Sequence, residues 1–312
     1  MRRLIAVVAG LVIATATIAQ AATPEEVLNE PGVDEEVPSA SAGYVAWSAN
    51  SEARPNHYNS YVMADEGSAV RVNPGGTHSH GAAIDGTTVV YDEDTGDDAD
   101  LKFFDAASES RTEPPDGVNT ANWEYRPSLS GDQLLFTRSN GNRVDFRDAW
   151  NKVVLFDLST VTSTVLSKLP IRTNYLVSGQ VNGDWATFES CSVRRGEFSE
   201  CQVHLYDIST DTLTEVTNPG MQQYAGGVSA DGTVYLVRQR NRDHWVCGKA
   251  TKVVRMDGGN GTVIATLPEG KEIFNMFAFD QGGSTTLYMD PTRCRNGMGG
   301  ISRIVSADTA TL

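Results

Sequence analysis

The chain has 312 residues, 40% hydrophobic and 21% charged, with a formal net charge of −15 and an isoelectric point near 4.7. That balance keeps an exported protein soluble and argues against nucleic acid or an anionic membrane as the general partner. The length exceeds what one ordinary core holds, so the chain is either two domains or one repeat architecture with a distributed core.

The first element is an export signal. Met1 is followed by Arg2 and Arg3, an apolar run from Leu4 to Ile18, and Ala19-Gln20-Ala21. A charged start, an apolar stretch and a small-x-small end form the pattern that signal peptidase reads. The run falls short of the roughly 20 residues that span a bilayer. Residues 1–21 are therefore expected to be removed, leaving no transmembrane segment and a secreted, periplasmic or envelope-associated chain. Export implies an oxidising compartment, where four cysteines are expected to form two disulfides. Their positions suggest Cys191–Cys201 across the base of one hairpin and Cys247–Cys294 between neighbouring repeats.

From there the sequence repeats. A glycine turn followed by a β-rich run recurs at Gly43, Gly86, Gly131, Gly183, Gly232 and Gly283, spaced by 43 to 52 residues. In each unit a later β-rich run closes on Asp: Asp65, Asp105, Asp157, Asp207, Asp257 and Asp308. Glycine permits the tight turn between the first two strands, and aspartate favours the turn that opens the fourth. Four antiparallel strands at this period are the signature of a propeller blade. The expected fold is all-β, a six-bladed β-propeller over residues 36–312. An arm at 22–35 is expected to help close the ring, because the last blade lacks its fourth strand.

The segments Arg126-Pro127-Ser128-Leu129-Ser130-Gly131-Asp132 and Val228-Ser229-Ala230-Asp231-Gly232 resemble the first-strand-and-turn signature of the TolB-like, or WD40-like, β-propeller repeats. The resemblance covers most of the expected mature chain. It implies a periplasmic or extracellular binding propeller. The short stretch between Ala22 and Glu36 leaves no room for the further N-terminal domain of the family's namesake.

Candidate site residues follow from the connections. In an up-and-down meander, the loops between second and third strands share one face. Those spans carry about half of the chain's 25 Lys and Arg residues. Arg54, Arg143, Arg147, Arg194, Arg195, Arg240, Arg242, Arg293 and Arg295 are guanidinium groups that can fork onto carboxylates or phosphates. Trp150 and Trp245 offer stacking faces. His57 and His244 lie on the same predicted face, and His78 and His80 flank Ser79 before the second unit. The acidic stretch with Asp92, Asp94, Asp97, Asp98 and Asp100 supplies oxygen enough for Ca²⁺, although neither its glycine spacing nor its end fits an EF-hand.

No nucleophile elbow, zinc-protease helix motif or phosphate loop occurs. The expected function is a non-catalytic binding propeller, monomeric and without a required cofactor. Its ligand is expected to be a protein or envelope glycan, anionic in character. The alternative is a propeller hydrolase or lyase acting on an extracellular carbohydrate or small ester, metal-dependent or not.

Overall fold

The protein was analysed as a computed structural model describing residues 25–28, 33–51, 54–65, 67–96, 98–141, 148–194, 197–216, 221–239, 252–257, 260–267, 270–294 and 302–312. These residues form 24 strands in six four-stranded antiparallel sheets. Among them no helix is long and apolar enough to cross a membrane.

Strand β1 (Glu25–Leu28) belongs to the last blade. Blade one holds β2 (Val33–Ser41), β3 (Tyr44–Ser51), β4 (Arg54–Ala64) and β5 (Val70–Arg71). Blade two holds β6 (Ala82–Asp85), β7 (Thr88–Asp94), β8 (Ala99–Asp105) and β9 (Ser110–Thr112). Blade three holds β10 (Trp123–Ser130), β11 (Gln133–Ser139), β12 (Trp150–Asp157) and β13 (Thr162–Pro170). Blade four holds β14 (Asn174–Asn182), β15 (Trp185–Arg194), β16 (Glu197–Asp207) and β17 (Thr212–Glu215). Blade five holds β18 (Gln222–Val228), β19 (Val234–Gln239), β20 (Lys252–Asp257) and β21 (Asn260–Thr266). Blade six holds β22 (Lys271–Gln281), β23 (Ser284–Arg293) and β24 (Ile304–Asp308), and β1 pairs antiparallel with β24 to supply its fourth strand.

The first strand of each blade lines the channel, and neighbouring first strands touch around the whole ring, β22 meeting β2. Stacking buries what a single blade would expose. Between blades two and three, Val90, Leu101, Leu134, Phe136, Val154 and Phe156 form one fully buried cluster. At roughly 1.5–3 kcal/mol for each large side chain buried, such inter-blade seams carry the fold.

Both repeat signals have physical roles. Gly43 turns with φ 81°, a left-handed conformation that side chains resist. Asp157 Oδ1 accepts hydrogen bonds from the Ser159 and Thr160 amides, both at 2.9 Å, and Asp207 repeats this with Ser209 and Thr210. The Ser159 hydroxyl, donating to the same oxygen at 2.7 Å, and then the Thr160 amide hold the Asp157 carboxyl down at about 2.

In blades one, two and four the expected loops between second and third strands are instead extended hairpins. The β3–β4 ladder continues to Ser51 opposite Arg54, so Arg54 and His57 lie on a strand. Likewise β7 runs to Asp94 and β8 starts at Ala99. Polar residues read as loop in the sequence because they have no core to face, yet the backbone ladder continues beyond the core.

Candidate functional site

Five first strands carry a register break: between Glu36 and Ser39, Tyr125 and Ser128, Ser178 and Val181, Tyr224 and Gly227, and Ile273 and Met276. Val37, Arg126 and Ala225 sit in these breaks with φ of 52 to 55°. A non-glycine residue in that region is strained and must be held by its surroundings.

Buried carboxylates do the holding. Asp92 Oδ1 accepts hydrogen bonds from the His80 amide at 2.6 Å and the Gly81 amide at 3.1 Å, and its carboxyl also takes the amide of Arg126 in the next blade. Asp290 accepts those of Phe274 at 2.9 Å and Asn275 at 2.7 Å, and of Val37 in blade one at 3.5 Å. Glu189 of blade four takes the Gly226 amide of blade five at 3.3 Å. Each carboxylate thus ties its blade to the next. Desolvation pushes all three upward, Glu189 and Asp290 to about 7.

The breaks point the Arg126 side chain into the channel. Its Nη1 donates to Asn275 Oδ1 of blade six at 3.1 Å. Around it the channel narrows to a cavity of about 60 Å³ that also touches Glu189. Further on, Gln180 of blade four reaches to blades five and six. Its Nε2 donates to the Ala278 carbonyl at 2.6 Å, and its Oε1 accepts from the Ala278 and Val228 amides at 2.8 and 3.1 Å.

Above Arg126, at the end opposite the glycine turns, the mouth widens into a cavity of about 630 Å³. Tyr58, Trp123, Tyr125 and Tyr175 give it aromatic walls; His78, His80, Asp94 and Arg126 are polar points among them. The tyrosine hydroxyls are engaged away from the space they line. Tyr58 donates to Glu36 Oε1 at 3.4 Å, and Tyr125 and Tyr175 bond each other. Burial would raise the Glu36 carboxyl, but the His80 hydrogen bond at 3.2 Å, the His80 and Arg126 charges and Tyr58 outweigh it and hold it low.

A second cavity of about 420 Å³ lies over blade one, lined by Glu35, Trp47, Arg54, His57, Tyr61 and Arg71 among others. His57 Nδ1 stands 3.0 Å from His78 Nε2. The histidine pair therefore stands between the two cavities.

The expected candidates divide as follows. Arg54 and His57 come together in the blade-one cavity. Arg293 is exposed at the end of β23, opposite Lys271 in the ladder. The Trp150 ring already carries Lys152 Nζ and Lys168 Nζ at 5.0 and 4.7 Å from its centroid. Arg143, Arg147, Arg195, Arg240, Arg242, His244, Trp245, Arg295, Asp97 and Cys247 lie outside the described residues, as does the side chain of Arg194. Cys191 and Cys201 are bonded to each other, and Cys294 is also in a disulfide.

The acidic stretch does not gather. Asp92 turns inward to its staple, Asp94 Oδ1 accepts from the Gly96 amide at 2.6 Å, and Asp98 Oδ1 accepts from the Ala99 amide. Asp100 stands opposite Glu93, so strand alternation sets it on the other face from Asp92 and Asp94. Among the described residues no group of three or more His, Cys, Asp or Glu is arranged to hold a metal.

The sequence reading missed Tyr58, Trp123, Tyr125, Arg126 and Tyr175. Apart from Tyr58, they sit at or near the start of first strands, upstream of the turn glycines. A reading that aligned those positions across repeats would have placed them on one rim.

No family model matches the chain, and no curated protein matches it. Solved structures do. TolB from Acinetobacter baumannii is 17% identical with a TM-score of 0.50, over 85% of this chain and 64% of that one. An oligogalacturonate lyase in complex with manganese is 13% identical with a TM-score of 0.54, over 90% and 82%. An acylaminoacyl peptidase from Pyrococcus horikoshii is 12% identical with a TM-score of 0.54, over 87% and 46%. The chain spans less than two thirds of the TolB and peptidase chains. These likenesses show the TolB-like six-bladed propeller fold. They join binding proteins, lyases and hydrolases alike, so function rests on the site.

Proposed function

We propose that this is an exported binding propeller, and that its channel mouth takes a glycan or protein ligand bearing anionic groups. The observation that carries this is the 630 Å³ aromatic-walled mouth above a channel that Gln180 bridges from blade four to blades five and six. Such a mouth presents ring faces for stacking a sugar or an apolar side chain, and Arg126, His78 and His80 for its polar groups. The likeness to TolB supports a binding role, and the likeness to an oligogalacturonate lyase supports a carbohydrate ligand. The Cys191–Cys201 disulfide fits the oxidising compartment that a signal at residues 1–21 would deliver the chain to.

The carboxyls with raised affinity for protons invite an enzymatic reading. Their hydrogen bonds account for them otherwise: Asp92, Glu189 and Asp290 are occupied with backbone amides across blade boundaries. Manganese accompanies one solved neighbour, but the described residues do not assemble a ligand set for it.

The test is a titration of tryptophan fluorescence with neutral and uronate oligosaccharides and with acidic peptides, for the parent protein and for Trp123→Ala and Tyr175→Ala. Saturable binding without turnover is expected, weakened about 30-fold in either variant as for a central aromatic anchor. Turnover of a probe, or unchanged binding in both variants, would overturn the reading.

A further inference from the structure

The blade-one cavity has a different chemistry from the mouth it adjoins. Arg54 and His57 come from β4 and Arg71 from β5, and all three line the same 420 Å³ space. Arg71 is held in place: Nη2 donates to the Pro74 carbonyl at 2.6 Å and Nε to Asn73 Oδ1 at 3.3 Å. Arg54 is exposed at the opening. Behind them Trp47 and Tyr61 stack at 5.6 Å between centroids, a stiff wall. Glu35 of β2 is the acidic group on the lining. Two guanidinium groups against one carboxyl leave the pocket net positive, on a chain whose formal charge is −15.

We propose that this pocket is an anion subsite, which binds a carboxylate or phosphate monoester of a ligand whose remainder reaches the channel mouth past His57 and His78. The inference rests on the mouth being the binding site and adds what the ligand must carry beside its stacked part. Two arginines lining one space supply cationic donors for such oxyanions, Arg54 from the surface and Arg71 from a guanidinium whose Nε and Nη2 are already bonded to Asn73 and Pro74. The 3.0 Å contact between His57 and His78 makes the two cavities neighbours, as a ligand with both a stacked ring and an anionic group requires. A neutral ligand would gain nothing from the pocket, so it contributes selectivity.

His57 reports on occupancy. It is faced by His78 before β6, by Arg54 on its own strand, by Arg71 on β5 and by Glu35 across the pocket. Desolvation first, then the positive charge of His78, Arg54 and Arg71, holds its affinity for protons below the ordinary value. An anion beside it reverses that balance, so binding raises the pH at which His57 titrates and tightens as pH falls through that range.

The experiment follows the His57 ring by NMR across pH in the full chain, with glucuronate, glucose 6-phosphate or glucose as probe. The two anions test the carboxylate and phosphate sources separately, and glucose tests the sugar alone. Either anion or both should saturate the His57 signal and raise its titration midpoint, and glucose should not. Arg54→Gln should weaken the anion about ten-fold, the scale of one hydrogen bond to a charged group, while Arg54→Lys restores part of it. Arg54 is exposed, so the variant is expected to fold. If His57 titrates alike with and without both anions, or Arg54→Gln binds them as tightly as the parent, the subsite is refuted. Signals from Trp123 and Tyr175 report the mouth in the same spectra. A mouth that responds while His57 stays silent defeats the subsite alone; a mouth and a His57 both silent defeat both readings.

Discussion

The carboxylates at the two ends of this propeller work in opposite ways. At the outer turns Asp157 and Asp207 accept several short local hydrogen bonds and give up their protons readily. At the channel mouth Asp92 and Asp290 are buried and Glu189 is half-buried; all three bridge one blade to the next and hold their protons to higher pH. The first set shapes a turn that each blade makes alone. The second fixes strained first strands, and through them sets the rim on which the aromatic cavity stands.

The largest effect is expected from Asp92→Ala. It strands the His80, Gly81 and Arg126 amides at a blade boundary, at about 1–3 kcal/mol for each unpaired group. Urea unfolding should show a loss of about 3 kcal/mol or more. Asp157→Ala, at the exposed turn, should move the midpoint far less. Equal losses would break the distinction between the two ends.

A pH series sharpens it. The raised groups, Asp34 at about 6 and Glu189 and Asp290 at about 7, bind more protons folded than unfolded. The stability they contribute is complete below their unfolded values near 4 and is lost as pH rises through 7. Asp157, lowered to about 2, acts oppositely: its contribution is present above pH 4 and lost as pH falls toward 2. The urea midpoint should therefore be higher at pH 5 than at pH 8, and Asp290→Asn should flatten that slope. A midpoint that climbs from pH 5 to 8 would contradict the assignment.

The smallest expected effect concerns the cysteines. Non-reducing peptide mapping should recover Cys191–Cys201, with Cys247–Cys294 as the proposed second pair. A Cys201–Cys247 peptide would overturn both the pairing and the blade register behind it.

These two ends also differ in how legible they are. The turn glycine and the closing aspartate, such as Gly43 and Asp157, recur once in each blade and act within a few residues of themselves, so the repeat exposes both the turns and the fold. Asp92 sits in an acidic run that reads as a solvated hairpin or a calcium loop, and nothing local marks it as the member that turns inward. Its partner Arg126 lies one blade away. The same holds for the mouth: Tyr58, Trp123 and Tyr175 come from three blades and meet only when the ring closes. Arg54 and His57 were visible because charge on a predicted face needs no long-range contact, whereas Arg71, on a fourth strand, fell outside the spans searched.

The most direct test of the account is a crystal structure of the protein with an acidic disaccharide bound. The account predicts its sugar ring against Trp123 and Tyr175 in the mouth, with its anionic group between Arg54 and Arg71. A ligand seated on the glycine-turn face, or bound elsewhere with the mouth left empty, would contradict it.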